Sequence, residues 1–495
     1  MTPEEEAREL EEFPVDWLPP GELQRWSEVA DFYDGASILL TGATGFIGTL
    51  ILEKLLRSCP GVSTVYVLIR DKKGVPLRER LHSHLEKPIF SNARQACPDY
   101  LRKVVPIAGD CTQPGLGISP ADATMLTSKV SVVFHAAAAV RFDADLRTAT
   151  LTNVASTCEV IALVKRMTNL KAFVYMSTAY SNAPRDEIDE EFYPPALNAE
   201  ELLKLLNIMG DEQLAQLLPL ILGDWPNTYT FTKAVAEDVI CTHAAGLPAS
   251  VIRPSIVMAT NKEPVAFWLG NMYGPSAIVA GGALGILHSV ITDEGAMADA
   301  VPADMVANAT IACAWDTCSN NKYMYGKAQH LLPYRKFAAF NSADHIQTLA
   351  NMGRLPVKIC YDCGNRLWNV YSRVHGVMQA LEKFTTREWT FKDDNMVGML
   401  GRLGEADRKL FPCDIVDVDL EWHHKNCVRG LRLYILNESF DNLEAAKKKY
   451  FWLTVLHYTV VTIMSSLLLL MLWRILGAQI GLRHPHWCTT AQANP

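Results

Sequence analysis

A short apolar run, Ser37-Ile38-Leu39-Leu40-Thr41, opens directly into Gly42-Ala43-Thr44-Gly45-Phe46-Ile47-Gly48. Leu50, Ile51, Leu55 and Leu56 follow at helical spacing, and Val65-Tyr66-Val67-Leu68-Ile69 then ends on Arg70. The pattern reads as strand, glycine turn, helix and strand. Each glycine has a mechanical reason: the first permits a tight turn, the second lets the backbone approach a pyrophosphate, and the third lets the helix pack close. Phosphate would rest on the unpaired N–H groups and positive end of that helix. Thr41, Gly42, Thr44, Gly45, Phe46, Ile47 and Gly48 are therefore the candidate cradle. A glycine triplet alone also fits a ligand-free βα turn; here strand, turn, helix and second strand all fall in place.

Arg70 stands at the end of the second strand, where an acidic side chain would grip the 2′-hydroxyl of NAD. An arginine suits the 2′-phosphate of NADP instead, with Lys72 and Lys73 close behind, so NADPH is the expected cofactor. Val104-Val105-Pro106-Ile107 leads to Gly109-Asp110, and Val130 to Phe134 leads to His135-Ala136-Ala137-Ala138-Ala139. Asp110 could accept from an adenine amino group or merely cap a helix, and both readings stay open. The small Ala136-Ala137 pair would let a cofactor lie close. Asn153 is expected to begin a helix over Val154 to Val164, and Ala172 to Met176 forms a fifth strand ending at Ser177. Strands alternating with helices at this rhythm predict an α/β, doubly wound parallel sheet.

An interruption rich in acids and prolines, Arg185 to Pro195, and a leucine-rich helical stretch, Leu202 to Leu222, come next. Tyr229 and Lys233 then sit four apart at the start of a helix and share one face. A phenol beside an ammonium has its ionised form favoured, which makes Tyr229 a candidate proton donor near neutral pH. Ser177, at the fifth strand's end, is placed to hydrogen-bond the same reacting oxygen as a fixed dipole. Tyrosine and lysine at this spacing also occur by accident on many helices. The glycine turn and the strand-terminal serine tip the balance toward chemistry.

Composition narrows the partners. A net charge of -8 offers no broad basic surface for nucleic acid. The 12 cysteines are scattered, as in reduced, cytosol-facing proteins, and the lone CxxC at Cys360 to Cys363 lacks the second pair a zinc site needs, so no metal is expected. Residues 1 to 34 are acidic and amphipathic, with Trp17 and Trp26 as expected anchors, and Glu4, Glu5 and Glu6 do not begin a secretory signal. From Tyr450 to Trp473 there is no charged residue. As a helix that run would extend ~36 Å, enough for a bilayer core of roughly 30 Å, with Tyr450, Phe451, Trp452 and Trp473 at the interfaces. A buried core helix is the alternative reading. Lys447, Lys448 and Lys449 precede the run, a bias that would leave the N-terminal bulk in the cytosol.

With these motifs in hand, the chain resembles the extended short-chain dehydrogenase/reductases and, more narrowly, the eukaryotic insect-type fatty acyl-CoA reductases. The resemblance rests on Leu40 to Gly48, Val133 to Ala138 with Val140-Arg141-Phe142, Ser177 to Asn182, Tyr229 to Lys233, Ile252 to Val257, Asn271 to Pro275 and Val301 to Asp304. Val370 to Phe384, Trp389-Thr390-Phe391 and Gly430 to Tyr434 resemble the C-terminal domain of that family. The layout it implies is an acidic extension over 1–34, an NADPH-binding Rossmann domain over 35–325, and a connector over 326–368. A smaller, mainly helical domain over 369–440, a transmembrane helix over 450–473 and a tail over 474–495 complete it. The resemblance further implies reduction of a long-chain acyl-CoA, through an aldehyde, to a primary alcohol at a lipid bilayer. Tyr229, Lys233, Ser177 and Asn153 would be the catalytic set, with Lys233 holding the nicotinamide ribose and Asn153 completing a proton relay. Between Lys327 and Arg366 the chain departs from the family pattern. A hydroxysteroid or nucleotide-sugar oxidoreductase of the same superfamily, or a cofactor-binding membrane protein without turnover, would share part of these features.

Overall fold

In the computed structural model, Ser37–Thr41 and the apolar runs that echo it assemble side by side. The structure describes residues 24–71, 74–283, 298–320, 330–332, 381–437 and 443–481, together with Asp293 and Gly376. The strands are β1 (Ser37–Thr41), β2 (Thr64–Ile69), β3 (Val104–Ala108), β4 (Val132–His135), β5 (Ala172–Met176), β6 (Glu187–Ile188), β7 (Ala249–Pro254), β8 (Ile256–Met258), β9 (Ala300–Pro302), β10 (His330–Leu332) and β11 (Thr390–Phe391). Seven of them form one parallel sheet in the order β10-β7-β5-β4-β1-β2-β3. The order turns back between β1 and β4, where open α/β sheets leave a crevice beyond the strands' carboxyl ends. Pro106 is tolerated because β3 is an edge strand, paired with β2 alone.

Alternation along the strands builds two apolar layers, as expected for parallel strands buried on both faces. Helices α1 (Phe46–Ser58), α2 (Ser156–Val164), α3 (Thr228–His243) and α4 (Ala303–Ser319) cover them. Ile38 and Leu40 of β1 join Val65, Val67, Phe134 and Val174 in the layer that α1 and α4 close. Leu39 points the other way, with Val133, Phe173 and Tyr175, against Ile161 of α2 and Val235 and Val239 of α3. Each fully buried leucine contributes roughly 1.5–3 kcal/mol relative to exposure. A charge anywhere in β1 would forfeit that on one face or the other.

Several boundaries differ from the sequence reading. Asn153 does not begin a helix: the helical run starts at Leu146, capped by the Asp145 side chain, and Asn153 lies in a π-helical turn, Leu151–Ala155, just before α2. The leucine-rich stretch is two helices, Ala199–Ile208 and Asp211–Leu222, parted at Gly210. Trp26 is 80% exposed and anchors nothing. The N-terminal segment is pinned instead by Tyr33, whose buried hydroxyl donates to the Ile311 carbonyl at 2.8 Å, and by Ser27, which donates to Asp407 at 2.5 Å. Trp17, Lys72, Lys73 and the CxxC at Cys360 to Cys363 lie outside the described residues.

The acidic interruption has a partner in the C-terminal part of the chain. Its strand β6 pairs with β11, Trp389 Nε1 donates to the Ala183 carbonyl at 3.0 Å, and Arg387 pairs with Asp186 at 2.6 Å. Helix α5 (Leu443–Gly481) contains a stretch, Thr454–Arg474, long and apolar enough to cross a membrane. Residues 455–474 of that stretch are exposed, so it is not the buried core helix that the sequence left as an alternative.

Candidate active site

Beyond the carboxyl ends of the sheet lies a cavity of about 730 Å³. The glycine turn forms one wall. Gly42 has a φ of +74°, and a Cβ built on it would stand 2.7 Å from the Ala136 carbonyl carbon and the Ala137 nitrogen. A Cβ on Gly48 would collide with the Gly42 carbonyl oxygen, so the third glycine packs the helix against the turn itself. Gly45 is the N-cap of α1 and supplies no side-chain bond to its first N–H groups, leaving that helix end open toward the cavity. This is a backbone cradle with room and donors for a phosphate.

Thr44, Gly45, Phe46, Ile47, Gly48, Arg70, Asp110, Ala136 and Ala137 all line the cavity. Arg80, which the sequence reading missed, lines it too and donates to the Arg70 carbonyl. Asp110 uses one carboxylate oxygen to accept from the backbone and hydroxyl of Thr112, both at 2.9 Å, so it braces its own loop rather than capping a regular helix. Thr41 is drawn away from the cavity. It is buried, lies 2.8 Å from His135 Nδ1, and accepts from the Ala137 N–H at 3.2 Å. Its contribution is to the shape of the turn.

The opposite wall is built from side chains. Asn227 caps α3 by accepting from the Thr230 N–H, which sets the helix start that places Tyr229 and Lys233 on the cavity side. Burial, rather than the ammonium that the spacing points to, dominates the Tyr229 phenol. Burial pushes its phenol up to about 12, and a hydrogen bond with Thr178 draws it partly back. Lys233 is pushed down to about 7 by burial, against the pull of Glu237. Its ammonium donates to the Met176 carbonyl at 2.6 Å and to the Tyr175 hydroxyl at 3.2 Å. A neutral phenol keeps a proton to give, and a lysine poised near neutrality lies one turn away on the same face of α3.

Ser177 lines the cavity but its hydroxyl is committed elsewhere, donating to Glu237 at 2.5 Å. Glu237 is also gripped by Arg253 through two bonds of 2.9 and 2.7 Å, in an ion pair with almost no exposure. Arg253 also donates to the Asp189 and Glu191 carbonyls, tying the acidic loop to β7. The hydroxyl facing Tyr229 is therefore that of Thr178, the next residue. Both residues line the cavity, and only packing decides which hydroxyl meets Tyr229. Glu237 did have a visible signal, since Tyr229, Lys233 and Glu237 repeat every fourth residue. Asn153 does not line the cavity; its side chain accepts from the Ala139 N–H at 2.8 Å and donates to Thr232 at 2.9 Å, clipping the alanine loop to α3.

Around Tyr229 the cavity turns aromatic. Phe142 stacks on Tyr229 with centroids 6.0 Å apart and on Phe384 at 5.3 Å, while Tyr180 meets Phe384 edge-on at 5.2 Å. Phe384 comes from the C-terminal part of the chain, so both ends of the sequence build this wall. The Ser255 hydroxyl, buried beside it, has no partner among the described residues, as expected of a polar group that meets a bound molecule.

Comparison with known proteins agrees with this architecture. Two family models, each described as male sterility protein, match residues 40–310 and 352–438. The chain is 35% identical to fatty acyl-CoA reductase 1 of Rattus norvegicus, over 93% of this chain and 95% of the rat protein. It is 34% identical to fatty acyl-CoA reductase wat of Drosophila melanogaster, over 88% and 91% respectively. Among solved structures, the terminal R domain of the myxalamid biosynthetic pathway superposes with a TM-score of 0.53 at 20% identity, covering 81% of this chain and 91% of that one. The reductase domain of a Mycobacterium tuberculosis non-ribosomal peptide synthetase gives 0.51 at 18%, covering 84% and 97%. A fold shared with those structures, a matching family model over residues 40–310, and near full-length likeness to an insect and a mammalian reductase lead to one conclusion: the chain belongs to the fatty acyl-CoA reductase family of oxidoreductases.

Proposed function

We propose that this protein reduces a long-chain acyl-CoA to a primary alcohol in two steps through a bound aldehyde, with NADPH as reductant. The observation that carries the substrate class is the aromatic wall of Phe142, Tyr180 and Phe384 running from the Tyr229 phenol, a surface that suits an alkyl chain next to the proton donor. Residues Gly42 to Gly48 would hold the pyrophosphate, Ala136 and Ala137 the flat face of the cofactor, and Arg70 with Arg80 its 2′-phosphate. NADPH bound there supplies one hydride for each two-electron reduction. Tyr229 donates a proton to the substrate oxygen in each reduction, and Thr178 hydrogen-bonds the phenol. The ammonium of Lys233 favours the phenolate left behind. After the first reduction the carbon–sulfur bond of the resulting hemithioacetal breaks, its hydroxyl proton goes to the departing sulfur, Tyr229 regains a proton from solvent, and the aldehyde stays against the aromatic wall for the second.

Purified protein given NADPH and palmitoyl-CoA should release free thiol and hexadecanol while consuming two NADPH per thiol. Aldehyde as the end product would limit the reaction to its first half, and absence of NADPH consumption would overturn the reading. NADH in place of NADPH should support at most a few per cent of the rate, the discrimination expected when two arginines lose their phosphate partner. We further read Thr454–Arg474 as a bilayer span that leaves the catalytic part in the cytosol, supported by Lys447, Lys448 and Lys449 on its N-terminal side. Extraction of the full-length protein from membranes by carbonate without detergent would overturn the span.

A further inference from the structure

Behind Lys233 runs a buried column of polar groups that the reaction above does not use. The Lys233 nitrogen lies 3.2 Å from the Tyr175 hydroxyl and 4.6 Å from the centre of that ring. The Tyr175 phenol, buried in the layer between sheet and helices, reaches the Thr157 hydroxyl. Thr157 donates to the Asn153 carbonyl at 2.7 Å and lies 3.2 Å from His135 Nε2. His135 Nδ1 in turn lies 2.8 Å from the Thr41 hydroxyl, at the base of the glycine turn. Donor and acceptor counts give the column a direction. Thr157 spends its proton on Asn153, so it accepts from His135; that gives a neutral His135 the Nε2–H tautomer and makes Thr41 the donor to Nδ1. Burial, with Lys233 nearby, pushes His135 down to about 3, which keeps it neutral.

We propose that Tyr175 is a positioning residue for Lys233: its phenol and the Met176 carbonyl take two of the three ammonium N–H groups and thereby aim the third at the cavity. An ammonium turns freely about its terminal bond, so one acceptor alone would leave it swinging, whereas two fixed acceptors leave a single direction. Both acceptors belong to consecutive residues of β5, and the column behind Tyr175 ties that phenol to β1, β4 and the turn before α2. Lys233 lines the cavity, and its third N–H is the one available to a ribose hydroxyl or to the Tyr229 oxygen. The inference rests on the reductase reading for its turnover assay but not for its binding assay.

The test is a double-mutant cycle on full-length protein: parent, Tyr175→Phe, Lys233→Met and the double variant. Removing the Tyr175 hydroxyl should lower kcat about tenfold and weaken NADPH binding about threefold, the scale of a lost orienting contact, with KM for palmitoyl-CoA unchanged. In the Lys233→Met background the same change should cost nothing further in either measurement. The pH profile gives a third readout. The titratable and charged groups around Lys233 are Glu237 on α3, Tyr175 on β5 and neutral His135 on β4, with Tyr229 one helical turn away and Arg253 held by Glu237. Loss of an acceptor disfavours the ammonium, so the alkaline limb should move to lower pH in Tyr175→Phe. Equal losses in both backgrounds would make Tyr175 a packing residue and overturn the proposal, as would unchanged kcat and affinity. If the parent does not turn over palmitoyl-CoA, the reductase reading fails, and the NADPH affinity cycle still decides the inference.

Discussion

The two walls of the cleft are made of different material. On the cofactor side, Gly42 to Gly48 and Ala136-Ala137 offer backbone N–H groups and close van der Waals surfaces, with the side chains of Arg70 and Arg80 at the far end. On the Tyr229 side, every group is a side chain held by another: Tyr229 by Thr178, Lys233 by Tyr175, and Ser177 and Arg253 by Glu237. A backbone cradle fails when something is added to it. A side-chain network fails when something is taken away.

That contrast can be broken or sharpened by substitution. The largest effect should come from Glu237→Gln, which strands the fully buried Arg253 without its counter-charge; breaking such a pair costs about 3–5 kcal/mol, and chemical unfolding should show it. Tyr229→Phe should lower kcat on the order of a thousandfold while NADPH affinity, followed by fluorescence, stays within about twofold. Loss of binding to the same extent would move Tyr229 into the structural frame. On the other wall, Gly42→Val forces a branched residue to a φ of +74° against the Ala136 carbonyl. NADPH affinity should fall about a hundredfold, in keeping with strain of roughly 1–3 kcal/mol plus displacement of the turn.

A finer comparison separates the two adjacent hydroxyls. Thr178→Ala should reduce kcat about thirtyfold, the worth of a hydrogen bond to a developing charge, whereas Ser177→Ala should leave kcat within about threefold and lower stability instead. The reverse pattern would restore the role that the sequence assigned to Ser177. The smallest effect is in pH. Lys233 in the folded protein carries its proton below about 7 and loses it as pH rises through that value. kcat/KM should therefore be about tenfold lower at one unit above the limb than on its acid plateau. A limb displaced above pH 9 would mean that Lys233 is solvated rather than buried.

The legible part of this protein is the part governed by backbone geometry. Glycines at 42, 45 and 48 between two apolar runs admit few structures, because only glycine tolerates the turn and the close helix. Continuous apolar strands ask for cover on both faces, and the charge-free run near the C-terminus announces an exposed apolar helix. The Tyr229 and Lys233 pair was legible for the same reason, since helical spacing alone places them on one face. Arg80 was not, because nothing local says that a residue ten positions beyond Arg70 returns to the same cavity.

Tertiary structure alone decided the rest. Which of Ser177 and Thr178 meets Tyr229 depends on Glu237 and Arg253, charges that come together from α3 and β7 and claim the serine. Burial sets the direction in which the Tyr229 phenol shifts, while the Lys233 ammonium is engaged by Met176 and Tyr175. Phe384 reaches the site from far along the chain, and no periodicity records such a contact. Sequence spacing fixes what the backbone can do within about a dozen residues, whereas desolvation and the choice among side-chain partners arise only once distant segments exclude water together.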